Sequence, residues 1–262
     1  MNGAGSVTAL VLLECTAGAV AVAAWTQSWT VVRRGHFRIV AWSALVLGCL
    51  AALAGRGAWP AEGPATTLLV VTVAGAALYL AVQYSRTDLP GTVVGLATGA
   101  LGVASLVAVA TLLAGWPAWL AALELVAGGA LVGSVVNGML LGHWYLNQPG
   151  LKPWALGRLT TLALGASAVT AVLGVAAATR LSDASTEGAV LGLPGFGESF
   201  GGIFFAVWLS LVAFTAVVVW MARRCVALRS IQSATGLYYV ALLSAATSEF
   251  LVRYLMVNSG AN

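Results

Sequence analysis

The sequence predicts an all-α integral membrane protein with about eight transmembrane helices. Of the 262 residues, 60% are hydrophobic and only 8% are charged, whereas a soluble domain carries roughly 25% charged residues. A water-facing surface cannot be built from this composition, so lipid must cover much of the exterior. The apolar residues also fall into eight runs of about 20 residues, the length that crosses a bilayer as a helix.

Turn-forming stretches rich in Gly and Pro separate these runs. The predicted helices cover residues 6–27, 37–54, 66–83, 90–115, 117–142, 155–179, 202–222 and 231–257. The first run follows six residues without Lys or Arg and is long enough to span, so we expect a retained helix rather than a cleaved signal. The only long loop, 180–202, carries Asp183, Glu187 and Glu198 and is predicted to be a lid or a docking surface.

Basic loop residues predict the orientation. One side holds Arg33, Arg34, Arg38, Arg86, Lys152, Arg158, Arg223, Arg224 and Arg229. The other side holds Arg56, Arg180 and Arg253. The positive-inside rule makes the first side cytoplasmic, so both termini face outward in a multi-pass protein of the cell (inner) membrane. We expect these basic residues to contact anionic lipid, and they predict no nucleic-acid partner because they lie in short loops.

A weak internal repeat relates the two halves of the chain. Helix one reads Leu13-Glu14-Cys15-Thr16-Ala17-Gly18-Ala19, and helix five reads Leu123-Glu124-Leu125-Val126-Ala127-Gly128-Gly129. Each stretch places a carboxylate four residues before a glycine. Four helices separate the equivalent positions, so residues 1–116 and 117–262 would share an orientation, related by an axis along the membrane normal.

Three carboxylates lie inside predicted spans, where a charge is costly and is usually paired or functional. Glu14, Glu124 and Glu249 all lie about 10–13 Å below the outer ends of their helices at 1.5 Å per residue. Arg253 follows Glu249 by four residues, which is the spacing of an ion pair on one helix face. The sequence therefore predicts a polar site open to the outer leaflet. The alternative is three neutral acids bonded separately to Ser, Thr or backbone groups.

The remaining candidate ligands are two histidines at the predicted inner boundary. His36 opens helix two, and His143 closes helix five within Gly142-His143-Trp144-Tyr145-Leu146. Two such residues could ligate one haem, but boundary histidines beside Arg and Trp more often face water or headgroups, which we expect here. No metal site is predicted, because Cys15, Cys49 and Cys225 are scattered singly over three helices. Asn137 is expected to form an interhelical hydrogen bond.

Three short stretches carry a family resemblance. They are Glu14-Cys15-Thr16-Ala17-Gly18, Asn137-Gly138-Met139-Leu140-Leu141-Gly142 and Glu249-Phe250-Leu251-Val252-Arg253. With eight helices and an outward N-terminus, the chain resembles the membrane anchors of the dimethyl sulfoxide reductase type, in the wider polysulfide-reductase (NrfD-like) family. One departure is that no histidine lies in the outer half, where some relatives place one at the quinone.

The resemblance implies two four-helix bundles and a quinone, menaquinone or ubiquinone, bound near the outer face. It implies that Glu14, Glu249 and Arg253 line that site, and that electrons pass to or from an iron–sulfur subunit docked outside. We therefore expect a membrane subunit of a respiratory or related redox complex, non-catalytic alone, with an iron–sulfur or cytochrome partner and other membrane subunits.

Two alternatives stay open. The chain could be a proton-coupled secondary transporter whose halves rock about Glu14 and Glu124. It could instead be a structural or assembly subunit of a membrane complex, in which case the three acids would point to separate contacts and would not converge.

Overall fold

A computed structural model describes residues 3–85, 87–148, 153–182 and 200–259 of the chain. Across these ranges the protein is all-helical, without a β-strand. The helices are α1 (Gly3–Gln27), α2 (Arg34–Gly55), α3 (Pro64–Val82), α4 (Leu89–Ala110), α5 (Ala118–Asn147), α6 (Trp154–Ala176), α7 (Ala178–Ser182), α8 (Phe200–Ala227) and α9 (Ile231–Asn258). All except the short α7 are long and apolar enough to span a membrane. The predicted multi-pass helical membrane protein is confirmed.

Most helix ends lie within three residues of their predicted positions, and the exceptions have local causes. The predicted helix 90–115 ends at Ala110, and the turns that follow close at Gly115, whose φ of 73° no α-helix accommodates. In contrast, α5 continues to Asn147 and α8 to Ala227, each five residues further than predicted. The acidic residues Asp183, Glu187 and Glu198 of the predicted docking loop lie outside the described residues.

Contacts between helices follow the same pattern in the two halves of the chain. The pairs α1–α2, α1–α4, α2–α3 and α3–α4 have counterparts in α5–α6, α5–α9, α6–α8 and α8–α9. Between the halves, α4–α5 and α9–α1 also correspond, and α1 contacts α5 directly, whereas the smaller α2–α5 contact has no equally large counterpart between α6 and α1. Two four-helix units related by a twofold axis would produce these corresponding contacts. The division at residues 116 and 117 stays a prediction.

Equivalent hydroxyl pairs accompany these contacts. The Thr72 and Ser105 hydroxyls lie 2.8 Å apart between α3 and α4, and the Thr215 and Ser244 hydroxyls lie 2.8 Å apart between α8 and α9. Each pair joins the third and fourth long helix of its half. Lipid chains offer no hydrogen-bond partner, so in this apolar surrounding the two hydroxyls of each pair provide one for each other.

Helices α1 and α5 touch backbone to backbone at the centre of the molecule. A methyl group at Gly133 of α5 would lie 2.6 Å from the Gly18 Cα of α1, and one at Gly18 would overlap the carbonyl oxygen of Gly129. Only glycine permits this approach. We call the contact of Gly18, Gly129 and Gly133 the glycine seam.

Polar contacts join neighbouring segments at the two ends of the bundle, which we call outer and inner after the predicted orientation. At the outer end, Trp116 Nε1 donates to Ser259 Oγ at 2.7 Å, and Arg180 Nη1 donates to the Gly115 carbonyl at 2.7 Å. At the inner end, Arg33 Nη1 donates to Gln148 Oε1 at 2.9 Å, and Arg34 pairs with Asp88. Arg253, which the orientation argument counted with the outer side and the site argument placed beside Glu249, is buried inside the bundle. The orientation of the bundle in the membrane stays a prediction.

Candidate functional site

The structure brings together all four predicted site residues of the outer half. Glu14 comes from α1, Glu124 from α5, and Glu249 and Arg253 from α9, and each has 0% of its surface exposed. We call this group the acid–arginine cluster. The free-energy cost of burying one unpaired charge is very large. The bonds within the cluster therefore decide whether these residues can remain buried.

Arg253 is the centre of the cluster. Its Nη2 lies 2.8 Å from Glu14 Oε1 and 2.7 Å from Glu249 Oε2, so the i,i+4 ion pair that the spacing allows is formed. The same nitrogen donates to the Glu124 backbone carbonyl at 2.9 Å, and Nη1 donates to Met256 Sδ at 2.8 Å. One guanidinium thus joins α1, α5 and α9.

Glu124 is held differently from the other two acids. Its carboxyl group lies close enough to Arg253 and Glu249 to interact electrostatically, but among the described residues neither of its oxygens has a hydrogen-bond partner. One guanidinium can offset only one of three carboxylate charges. The cluster is therefore short of positive charge, and chemically it can bind protons.

Gly128 provides the space that the cluster occupies. A methyl group at this position of α5 would lie 2.9 Å from Glu14 Oε1 and would overlap both Glu249 Oε2 and Arg253 Nη2. The repeated Glu-x-x-x-Gly spacing therefore serves two purposes, since Gly18 admits the α5 backbone and Gly128 admits charged side chains. Sequence reasoning noted the spacing but did not identify this role, nor the contributions of Met256 and the Glu124 carbonyl.

The cluster is closed, whereas the sequence predicted a site open to the outer leaflet. Buried apolar side chains surround it, including Leu10 and Leu13 of α1, Leu125 of α5, and Val252 and Leu255 of α9. The first four lie within about one helical turn of an acid along their own helices, and Leu255 lies two residues from Arg253. The correction concerns access to the site and leaves its residues unchanged.

The described structure has an apolar groove beside the cluster. It has a volume of about 690 Å³ and is lined by α5, α6 and Trp25 of α1, with Leu123 and Ala127 among the α5 residues. These two residues precede Glu124 and Gly128 by one position, so the groove lies on the adjacent face of the same helix. The α5 backbone thus separates lipid-accessible space from the acids.

The two histidines lie in different surroundings. His36 is completely buried and its ring lies beside Asn137, so the expectation of a solvated boundary residue was wrong for this histidine. The reason is the rotation of α2, which turns position 36 toward α5. His143 is exposed, with Nδ1 3.5 Å from the Tyr239 hydroxyl. A haem needs open space beside each ligand, which the enclosed His36 ring does not offer.

Asn137 forms the predicted interhelical bond. Its Nδ2 donates to the Ala19 carbonyl of α1 at 3.0 Å and to the Gly133 carbonyl of α5 at 2.8 Å. The nearby Gly142–Leu146 motif is a packing junction, where Gly142 meets Thr235 of α9 and Trp144 meets Gly35 of α2. Within the ranges that the structure describes, no group of three or more His, Cys, Asp or Glu residues could hold a metal ion.

The chain was compared with protein-family models, with curated proteins and with solved structures, and none of them matches it. The resemblance to NrfD-like anchors therefore depends on the short motifs alone. By its eight long apolar helices, the chain is a multi-pass helical membrane protein.

Proposed function

We propose that the protein is a proton-handling membrane subunit of a quinone-linked redox complex. The observation that carries the proposal is the acid–arginine cluster, in which three buried carboxyl groups lie with a single guanidinium that pairs with two of them. Uncompensated carboxylates in a medium of low polarity bind protons readily, and buried acids inside spans commonly serve proton relays.

The chemistry of a quinol matches this capacity. Oxidation of a quinol releases two electrons and two protons and leaves the quinone. The electrons pass to an iron–sulfur or cytochrome partner at the outer face, since the described residues include no group that could hold a metal ion. Of the three carboxyl groups, two exceed the charge that Arg253 offsets, so the cluster can accept both protons.

The groove beside α5 supports approach of a lipid-soluble quinone. Along α6 it extends from Arg158 to Leu173, about 22 Å at 1.5 Å per residue, which suits a long isoprenoid chain. Its α5 wall includes Leu123, the neighbour of Glu124. No hydrogen bond within the described residues holds the Glu124 carboxyl group, so this side chain can turn toward the groove without losing one. We propose Glu124 as the acid that meets the quinol.

A second candidate is a proton-coupled transporter. The corresponding helix contacts of the two halves favour it, because transporters of repeated architecture bind ions where the halves meet. The cluster lies at such a junction, between α1, α5 and α9. The third alternative, a structural subunit, expected the acids to remain apart, and their convergence speaks against it.

The test is purification in mild detergent, with identification of bound chains, followed by assay of quinol oxidation by the complex. We expect Glu124→Gln to lower the rate by about 10²-fold, the usual contribution of a positioned acid or base. The matched control is Glu62→Gln, which removes an exposed acid from the α2–α3 turn and should leave the rate unchanged. Unaltered turnover in Glu14→Gln, Glu124→Gln and Glu249→Gln would refute the redox role.

A measurement of proton uptake distinguishes the transporter hypothesis from the redox proposal. The chain alone, reconstituted in vesicles that contain a pH-sensitive dye, should not move protons if it serves only a redox complex. Substrate-dependent proton uptake by the isolated chain, abolished in Glu124→Gln, would replace the first proposal with the second.

A further inference from the structure

A basic pocket at the inner end lies apart from the acid–arginine cluster. It has a volume of about 460 Å³ and is formed by the beginning of α6 and the end of α8. Three arginines, Arg158, Arg223 and Arg229, line it together with Trp154 and Thr161. We call it the inner basic pocket; it adjoins the groove proposed for the quinone, with which it shares Arg158 and Thr161, but its Arg223 and Arg229 have no part in the proposed redox function.

The three arginines have no acidic partner in the described structure. Arg34 and Arg253, by contrast, each form an ion pair there. The structure describes five acidic residues: the three of the acid–arginine cluster, Glu62 in the α2–α3 turn, and Asp88, which pairs with Arg34. None of these five carboxylates is available to the inner basic pocket.

Aromatic packing holds one of the arginines in place. The Arg158 guanidinium lies 4.2 Å from the Trp154 ring centroid and 5.4 Å from that of Trp29. Stacking of this kind occupies the flat face of a guanidinium and leaves its N–H edge for a planar or tetrahedral anion. The indole rings themselves are typical of the boundary between headgroups and hydrocarbon.

Apolar surface continues from the pocket toward the bilayer centre. Thr161 and Arg158 also line the groove along α6, and further along this helix Val169 and Val172 are 52% and 68% exposed. An anion bound at the arginines thus has hydrocarbon-compatible surface next to it. A soluble anion would not use that surface, whereas a phospholipid would.

We propose that the inner basic pocket binds one anionic phospholipid of the inner leaflet, with its phosphate between Arg158, Arg223 and Arg229. The acyl chains extend from there along the exposed apolar side of α6, beside the groove proposed for the quinone. Clusters of Arg at the cytoplasmic boundary attract anionic headgroups, and the guanidinium fork matches phosphate geometry.

The experiment uses the full chain purified in a neutral detergent and mixed with phosphatidylglycerol or phosphatidylcholine. Bound lipid is counted by native mass spectrometry, and the midpoint of thermal unfolding is followed as lipid is added. We expect one retained phosphatidylglycerol, an increase of the midpoint with this lipid alone, and at least a tenfold weaker apparent affinity in the triple variant Arg158→Gln, Arg223→Gln, Arg229→Gln. These side chains are exposed, so the variant should fold.

Arg56→Gln provides the matched control, because it removes an exposed arginine at the outer end and should retain the lipid. Three results would overturn the proposal: equal binding of phosphatidylcholine, unchanged retention in the triple variant, or displacement of the lipid by inorganic phosphate. The last result would indicate a site for a soluble anion.

Discussion

The two halves of the molecule share a helix arrangement but fill one equivalent interface with different chemistry. Between α1 and α4, the glycines belong to α4 and pack against alanines of α1: Gly95 on Ala24, Gly99 on Ala21 and Gly102 on Ala17. Between α5 and α9, the glycines belong to α5 and face large or charged side chains of α9: Gly128 with Glu249 and Arg253, Gly138 with Tyr238, and Gly142 with Thr235. Glycine brings backbones together in the first half and makes room for polar side chains in the second.

This difference shows how a bundle of apolar helices can accommodate charged side chains at one interface while its helix–helix contacts stay the same. The α5–α9 interface has the same place in its half as the α1–α4 interface. It nevertheless holds a guanidinium and a carboxylate where the other holds methyl groups. Because the space comes from glycines on the facing helix, the backbone path need not differ between the halves.

The largest expected effect comes from removing the charge that distinguishes the second half. Arg253→Leu leaves buried acids without a partner, which costs roughly 3–5 kcal/mol for a buried pair. We expect a strongly lowered midpoint of thermal unfolding in detergent, and partial recovery when Glu14→Gln and Glu249→Gln are added. A midpoint equal to that of the parent chain would show that Arg253 does not stabilise the bundle.

Adding a methyl group should distinguish the two uses of glycine. Gly99→Ala would place the new methyl 2.9 Å from the Ala21 Cα, a backbone clash that no side-chain change relieves. Gly138→Ala would overlap the Tyr238 ring, so Tyr238→Leu in the same chain should restore stability. We expect each single variant to cost about 1–3 kcal/mol, as overpacking does, measured by thermal unfolding.

Two glycines provide the controls for this pair. No atom lies within 4 Å of a methyl group placed at Gly165 or Gly236. Alanine at either position should be neutral, or stabilising by up to about 1 kcal/mol through helix propensity. Rescue of Gly99→Ala by Ala21→Gly would contradict the assignment of its cost to backbone contact.

The smallest expected effect tests the likeness of the halves. Thr72→Val and Thr215→Val each remove one hydroxyl from a pair that joins equivalent helices. Interhelical bonds of this kind contribute about 0.6 kcal/mol, so both variants should lower the unfolding midpoint slightly and by similar amounts. A large cost in one half alone would argue against equivalent interfaces.

The spans and the convergence of the acids could be predicted because both depend on numbers of residues that can be counted along the sequence. Apolar length determines which segments span, and the depth of Glu14, Glu124 and Glu249 follows from their distance to helix ends. The closure of the cluster could not be predicted, because it depends on how Leu10 and Leu255 pack after assembly.

The surroundings of His36 show a second limit. Successive residues of a helix point about 100° apart, so a small error in the rotation of α2 moves this ring from headgroups to the interior. The sequence contains no signal for that rotation beyond the weak amphipathicity of the helix. The role of Gly128 was equally hidden, because the side chains that fill its space belong to α1 and α9.

The glycine seam has a mechanical consequence. Atoms of Gly18 and Gly133 already lie at contact distance, so α1 and α5 cannot move closer, and separating them would open a void along the middle of the bundle. Any large conformational change must therefore keep α1 and α5 together as one rigid unit. Helices such as α3 and α8, which face lipid over most of their surface, would move relative to that unit.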